Sequence, residues 1–116
     1  MRVFQTAVLA VVASAAVILG SPSHAQTEFM GAGETSELAC DREGATVEGA
    51  SNVLIITGSC TNLKVIGAGN RIRIDLAENA TLRIEGADNE IRWRTRGAGK
   101  PRLSIVGAGN RIARER

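Results

Sequence analysis

The sequence predicts an all-β chain wound as a short single-domain β-solenoid (β-helix-like) of about four coils, each 18–21 residues long. Three observations predict it. Gly-Ala-x-Asn occurs four times, ending at Asn52, Asn70, Asn89 and Asn110, so the unit repeats at intervals of 18, 19 and 21 residues. Apolar residues alternate on both sides of each of these turns, the period of a strand with one buried face. Cys40 and Cys60 fall at nearly the same phase of successive units.

The first element is a leader. Arg2 gives a positive start, Ala7 to Leu19 is an unbroken run of apolar and small residues, and Ser23-His24-Ala25 places small residues at a cleavage site before Gln26. This is the layout of a secretory signal peptide over residues 1–25. A retained anchor is disfavoured, because the run is short of the roughly 20 residues that a span needs. No integral membrane segment is then expected after cleavage, and the protein is expected in the periplasm or outside the cell. Residues 26–36 (QTEFMGAGETS) read as a flexible leader, and residues 37–116 as the β-repeat domain.

The strands come next. Ala45 and Val47, Leu63 and Val65, Leu82 and Ile84, and Leu103 and Ile105 alternate before the four turns. Leu54 and Ile56, Ile72 and Ile74, Ile91 and Trp93, and Ile112 and Arg114 alternate after them. Each unit is therefore strand, turn, strand, second turn. Arg114 at an inward phase implies that the last coil frays or caps itself. Trp93 shares its parity with Ile91 and is placed in the core rather than on a stacking platform.

The turn residues are Gly49 and Asn52, Gly67 and Asn70, Gly86 and Asn89, and Gly107 and Asn110. Glycine admits backbone angles closed to other residues, and asparagine tolerates the left-handed region. Alanine is small enough to fit under the turn above. If the turns stack, the asparagine amides can hydrogen-bond along the stack as a ladder.

The apolar pattern alone also fits an antiparallel β-meander or barrel. The cysteines discriminate. A disulfide needs Cα atoms about 4.4–6.8 Å apart. Coils stacked about 4.8 Å apart supply that distance, whereas equivalent positions in a meander lie roughly 9.6 Å apart. If Cys40 and Cys60 are bonded, the solenoid is favoured. Export and an even cysteine count favour the bond; two cysteines without a histidine in the exported chain are too few for zinc.

Val/Leu-x-Gly-x-x-Asn-x-Ile units at this spacing, after a signal peptide and with a cysteine pair over the first two, resemble the bacterial family named domain of unknown function 3060. The resemblance covers roughly Cys40 to Ile112. It implies an exported, repetitive, β-rich protein with no assigned activity and no catalytic residues to carry over. The chain is richer in arginine toward its end than the family pattern.

Function is sparsely written. The sole histidine, His24, leaves with the leader, which removes Ser-His and Cys-His nucleophile pairs. No phosphate-loop or repeated calcium motif is present, and no cofactor or metal is expected. A carbohydrate-active enzyme using Asp75, Glu85 and Asp88 ranks third, because those acids alternate with arginines as on a solvated, charge-paired face. The expected reading is non-enzymatic.

Charge is more informative. Without its leader the chain holds 13 Lys and Arg against 12 Asp and Glu. Residues 26–63 carry net −5 and residues 91–116 net +7. A solenoid lays this out as an acidic start and a basic end. Arg92, Arg94, Arg96, Lys100, Arg102 and Arg111 are the candidate anion-binding residues, for an anionic polysaccharide or envelope component. Nucleic acid is disfavoured by the scarcity of aromatics. A structural, self-associating envelope protein, joined through open solenoid ends, is the alternative.

Overall fold

A computed structural model describes residues 27–115. The expected signal peptide, Gln26 and Arg116 lie outside the described residues. Eight strands follow in order: β1 Thr27–Ala32, β2 Thr35–Ala39, β3 Gly44–Ala50, β4 Val53–Ala68, β5 Arg71–Ala87, β6 Glu90–Thr95, β7 Arg102–Val106 and β8 Arg111–Arg114. No helix occurs among the described residues.

Every strand pairing is parallel, which excludes the meander. The chain is a β-solenoid. β4 and β5 each run round a corner and so belong to two successive coils. β1 and β2 form the first coil, β3 and the start of β4 the second, and the end of β4 with the start of β5 the third. The end of β5 with β6 makes the fourth, and β7 with β8 the fifth.

Five coils stand where the sequence suggests about four. The extra one is built from residues 27–36, expected as a flexible leader, together with the first residues of the expected repeat domain. Thr27–Ala32 pair with Ala45–Ala50, and Thr35–Ala39 pair with Val53–Thr57. Phe29 takes the inward position against Val47, and Leu38 against Ile56. The coil escapes the motif because Glu34 stands where the asparagine recurs.

Most of the core is four columns of inward side chains, one residue per coil, joined by Cys40, Cys60, Leu76 and Ala80 of the second corner. One column runs Thr27, Ala45, Leu63, Leu82, Leu103, and its neighbour Phe29, Val47, Val65, Ile84, Ile105. Across the first corner run Ser36, Leu54, Ile72, Ile91, Ile112, and then Leu38, Ile56, Ile74, Trp93, Arg114. The middle coils are sealed: Leu54, Val65, Leu82 and Ile91 are completely buried. The last coil is not, with Leu103 51% and Ile105 43% exposed. Its other half is closed. Arg114 places its guanidinium 5.3 Å from the centre of the Trp93 ring and donates to the Gly97 carbonyl at 3.1 Å. A cation over an indole face keeps its charge while shielding apolar surface. Trp93 is correspondingly a core residue, 6% exposed.

The unequal repeat lengths have one origin. Five residues lie between Leu38 and Gly44 and five between Ile56 and Asn62, but six between Ile74 and Thr81 and eight between Trp93 and Arg102. All of the difference therefore falls in the second corner. The Gly-Ala-x-Asn corner has the same length in every coil.

Cys40 and Cys60 are disulfide-bonded across adjacent second corners, with Cα atoms 5.6 Å apart, and both are buried. The bond fastens the least regular coil to the next. A closed loop of this size contributes about 3 kcal/mol in the chain-entropy treatment. The double variant Cys40→Ser/Cys60→Ser is expected to lose about that much stability in urea unfolding. The loss should match that caused by reducing the parent protein.

Candidate functional site

The first corner carries the repeated chemistry. Its third residue, and not its asparagine, takes the left-handed backbone: φ is 60° at Ser51, 69° at Gly69, 58° at Asp88 and 75° at Gly109. The asparagine is thereby free to turn its amide inward. Asn52, Asn70 and Asn89 are buried to within 1%.

These amides form the ladder. Asn70 donates from Nδ2 to the Gly49 carbonyl and to Asn89 Oδ1, both at 3.0 Å. Its own Oδ1 accepts from the Asn52 backbone N–H at 3.1 Å and from Asn52 Nδ2 at 3.0 Å. Both donors and both lone pairs are used, as a buried amide requires. Asn89 repeats the pattern with Gly67, Asn110 and Asn70. At the start of the stack, Glu34 contributes only its backbone N–H, to Asn52 Oδ1.

The glycine belongs to the same device. At Gly67 φ is +142°, and a Cβ there would lie 1.8 Å from the Gly49 carbonyl oxygen, the atom that Asn70 Nδ2 bonds. Gly49, Gly86 and Gly107 are obstructed in the same way. The alanine does not fit beneath the next turn as expected. Ala50, Ala68 and Ala108 face solvent, and the alanine's part in the stack is played by its carbonyl: those of Ala68 and Ala108 accept from the N–H groups of Ser51 and Asp88.

The outward face beyond this corner carries the charge. Its columns run Val53, Arg71, Glu90, Arg111, then Ile55, Arg73, Arg92, Ala113, then Asp75, Arg94. The outer two alternate in sign. Glu90 meets Arg71 at 3.9 Å and Arg92 at 3.3 Å, and Asp75 accepts from Arg94 Nε at 2.6 Å. That hydrogen bond, and then the charge of Asp75, raise the pKa of Arg94 above its ordinary value. The middle column differs. Arg73 and Arg92 are direct register partners, like charges side by side, with Ile55 and Ala113 as the next residues of their column. Glu115 reaches across from the last coil and accepts from Arg73 Nε at 3.0 Å. A groove of about 440 Å³ lies on this face, lined by Val53 and Ile55, by Arg71, Arg73 and Arg92, and by the acids Glu90 and Glu115.

The six candidate anion-binding residues do not converge. Arg92, Arg94 and Arg111 share this face, whereas Arg96 and Lys100 lie in the second corner and Arg102 opens β7. Arg71 and Arg73 join the face from the third coil. Their signal is phase: they follow Asn70 by one and three residues, as Glu90 and Arg92 follow Asn89. The carboxylates considered for catalysis lie apart. Asp75 is on this face, Glu85 is on the face before the corner and 3.3 Å from Arg83, and Asp88 is in the corner itself. Among the described residues, no group of three or more His, Cys, Asp or Glu is placed to hold a metal ion.

A family model described as "Protein of unknown function (DUF3060)" matches residues 47–109. The chain belongs to this family. No curated protein and no solved structure matches it. The DUF3060 match begins in the second coil and takes in all four corner glycines, so the Glu34-bearing first coil and Cys40 lie outside it.

The DUF3060 ladder makes sharp demands. Asn70→Ala would leave the Gly49 carbonyl and two Asn52 donors unpaired in a dry interior, and is expected to cost about 3 kcal/mol in urea unfolding. Asn70→Asp should cost at least as much, because a carboxylate would face two acceptor oxygens. Gly67→Ala is expected to abolish the cooperative transition, whereas Gly99→Ala, with nothing within 4 Å of its Cβ, should leave it within about 0.5 kcal/mol of the parent.

Proposed function

We propose that this chain is a non-enzymatic, exported module that binds an anionic polymer of the cell envelope through the outward arginine face of its last three coils. The observation that supports the reading most is the adjacency of Arg73 and Arg92. Like charges directly opposite on a ladder are unfavourable. Glu115 answers Arg73 and Glu90 answers Arg92 within the chain, and an external anion spanning both guanidinium groups lowers the repulsion further. Arg71, Arg94 and Arg111 flank the pair, and Glu90 and Asp75 hold three of these guanidinium groups in place. Guanidinium suits bidentate contact with carboxylate, sulfate or phosphate.

Export is supported by the leader pattern and the buried disulfide, a bond that persists in oxidising compartments. No helix among the described residues is long and apolar enough to cross a membrane. The non-enzymatic reading is supported by the dispersal of Asp75, Glu85 and Asp88 and by the engagement of Asp75 with Arg94.

The test is salt-dependent retention of the oxidised protein on an immobilised sulfated glycan. The formal charge without the leader is only +1, so strong retention requires a local cluster. Arg73→Ser/Arg92→Ser/Arg111→Ser is expected to lower the slope of log affinity against log salt by about three, one per lost contact. Arg96→Ser/Lys100→Ser should change it less. Equal retention by the triple variant and the parent would refute the assignment to this face.

A further inference from the structure

The two ends of the solenoid are unlike. Among the described residues β1 pairs with β3 alone at one end, and β7 with β5 alone at the other. Arg114 closes the β8 half of the last coil over Trp93, but β7 leaves Leu103, Ile105 and Val106 between 43% and 63% exposed. At the opposite end Met30 is 73% exposed on β1.

The register that stacks the coils can be carried one coil further. The columns place Ile105 over Phe29, Val106 beside Met30, Gly107 over Gly31 and Asn110 over Glu34 of a second copy. The partners match chemically: apolar on apolar, glycine on glycine, amide on carboxylate. Asn110 uses Nδ2 once, on the Gly86 carbonyl at 3.0 Å, and lacks the onward bond that Asn52, Asn70 and Asn89 each make. Glu34 occupies the first position of the ladder, donating its backbone N–H to Asn52 Oδ1 and carrying a side-chain carboxylate that can accept.

Charge agrees with the register. Arg102 falls diagonal to Glu28 of the second copy and Arg111 diagonal to its Glu37, a separation that long side chains span. The first two coils carry six acids against Arg42, whereas the last carries Lys100, Arg102, Arg111 and Arg114 against Glu115. Two acidic ends repel, two basic ends repel, and unlike ends attract. A basic edge strand is a usual guard against pairing, yet here the opposite edge carries the complementary sign.

We propose that this protein associates head to tail, the β7 edge of one copy docking in parallel on the β1 edge of a second. The contact is heterologous, so association extends into open rows of coils rather than closing at a dimer. It is independent of the proposed anion binding, and it is measured with no polyanion present.

Sedimentation velocity on the oxidised protein, produced with its own leader, tests the proposal. The parent should form species that grow with concentration and shrink with salt. Glu28→Arg/Glu37→Arg and Arg102→Glu/Arg111→Glu, all at exposed positions, should each remain monomeric. Mixing the two variants should restore association, because each then offers the complementary end. A parent that stays monomeric at every concentration overturns the proposal. So does association that survives in either variant alone, or a mixture that stays monomeric.

Discussion

The bond from the asparagine Nδ2 to the glycine carbonyl one coil back is the constraint on which the rest of this structure depends. It couples two residue choices in different coils. The carbonyl can reach the amide only where no Cβ stands above it, and the amide can be buried only where that carbonyl and the next amide satisfy it. One corner is thereby locked to the next at the spacing of a parallel ladder. Everything outward of the core inherits its alignment from that lock, including the juxtaposition of Arg73 with Arg92.

The hydrophobic columns alone would not enforce this. Val65, Ile84 and Ile105 are near-equivalent in shape, and a slip along the strand by two residues would still bury an aliphatic against an aliphatic. A buried amide tolerates no such slip, because it would leave several polar groups unpaired at about 1–3 kcal/mol each. The apolar side chains supply the driving force, and the polar ladder selects the register. The disulfide does the same work at the end of the stack where the ladder starts from Glu34 rather than from an asparagine.

Much of the fold is legible in the letters because the same solution is written four times. The phase of Asn52, Asn70, Asn89 and Asn110 marks the coils, and Cys40 and Cys60 at matching phase imply stacking rather than a meander. The first coil is hidden for a physical reason. It lies at an end, so Thr27 and Ser36 can stand at inward positions and Glu34 can replace the amide, and the periodic signal fades where the packing demand relaxes. The charged face is legible only after the register is known. Arg73 and Arg92 are 19 residues apart in sequence, and composition alone suggests only that acids and bases mix. The alternation of sign in the columns on either side of Arg73 and Arg92 is likewise a property of three dimensions.

The constant length of the first corner has a geometric consequence. Chain length varies only at the second corner, so the outer surface beyond the first corner is a regular lattice, with rows about 4.8 Å apart along the axis and sites about 6.6 Å apart along each strand. A side chain on it is addressed by two integers, coil and column. Substitutions move chemical groups between fixed nodes without moving the nodes, and loops can lengthen at the far corner without disturbing them. Such a surface can be rewritten one node at a time while its metric stays the same.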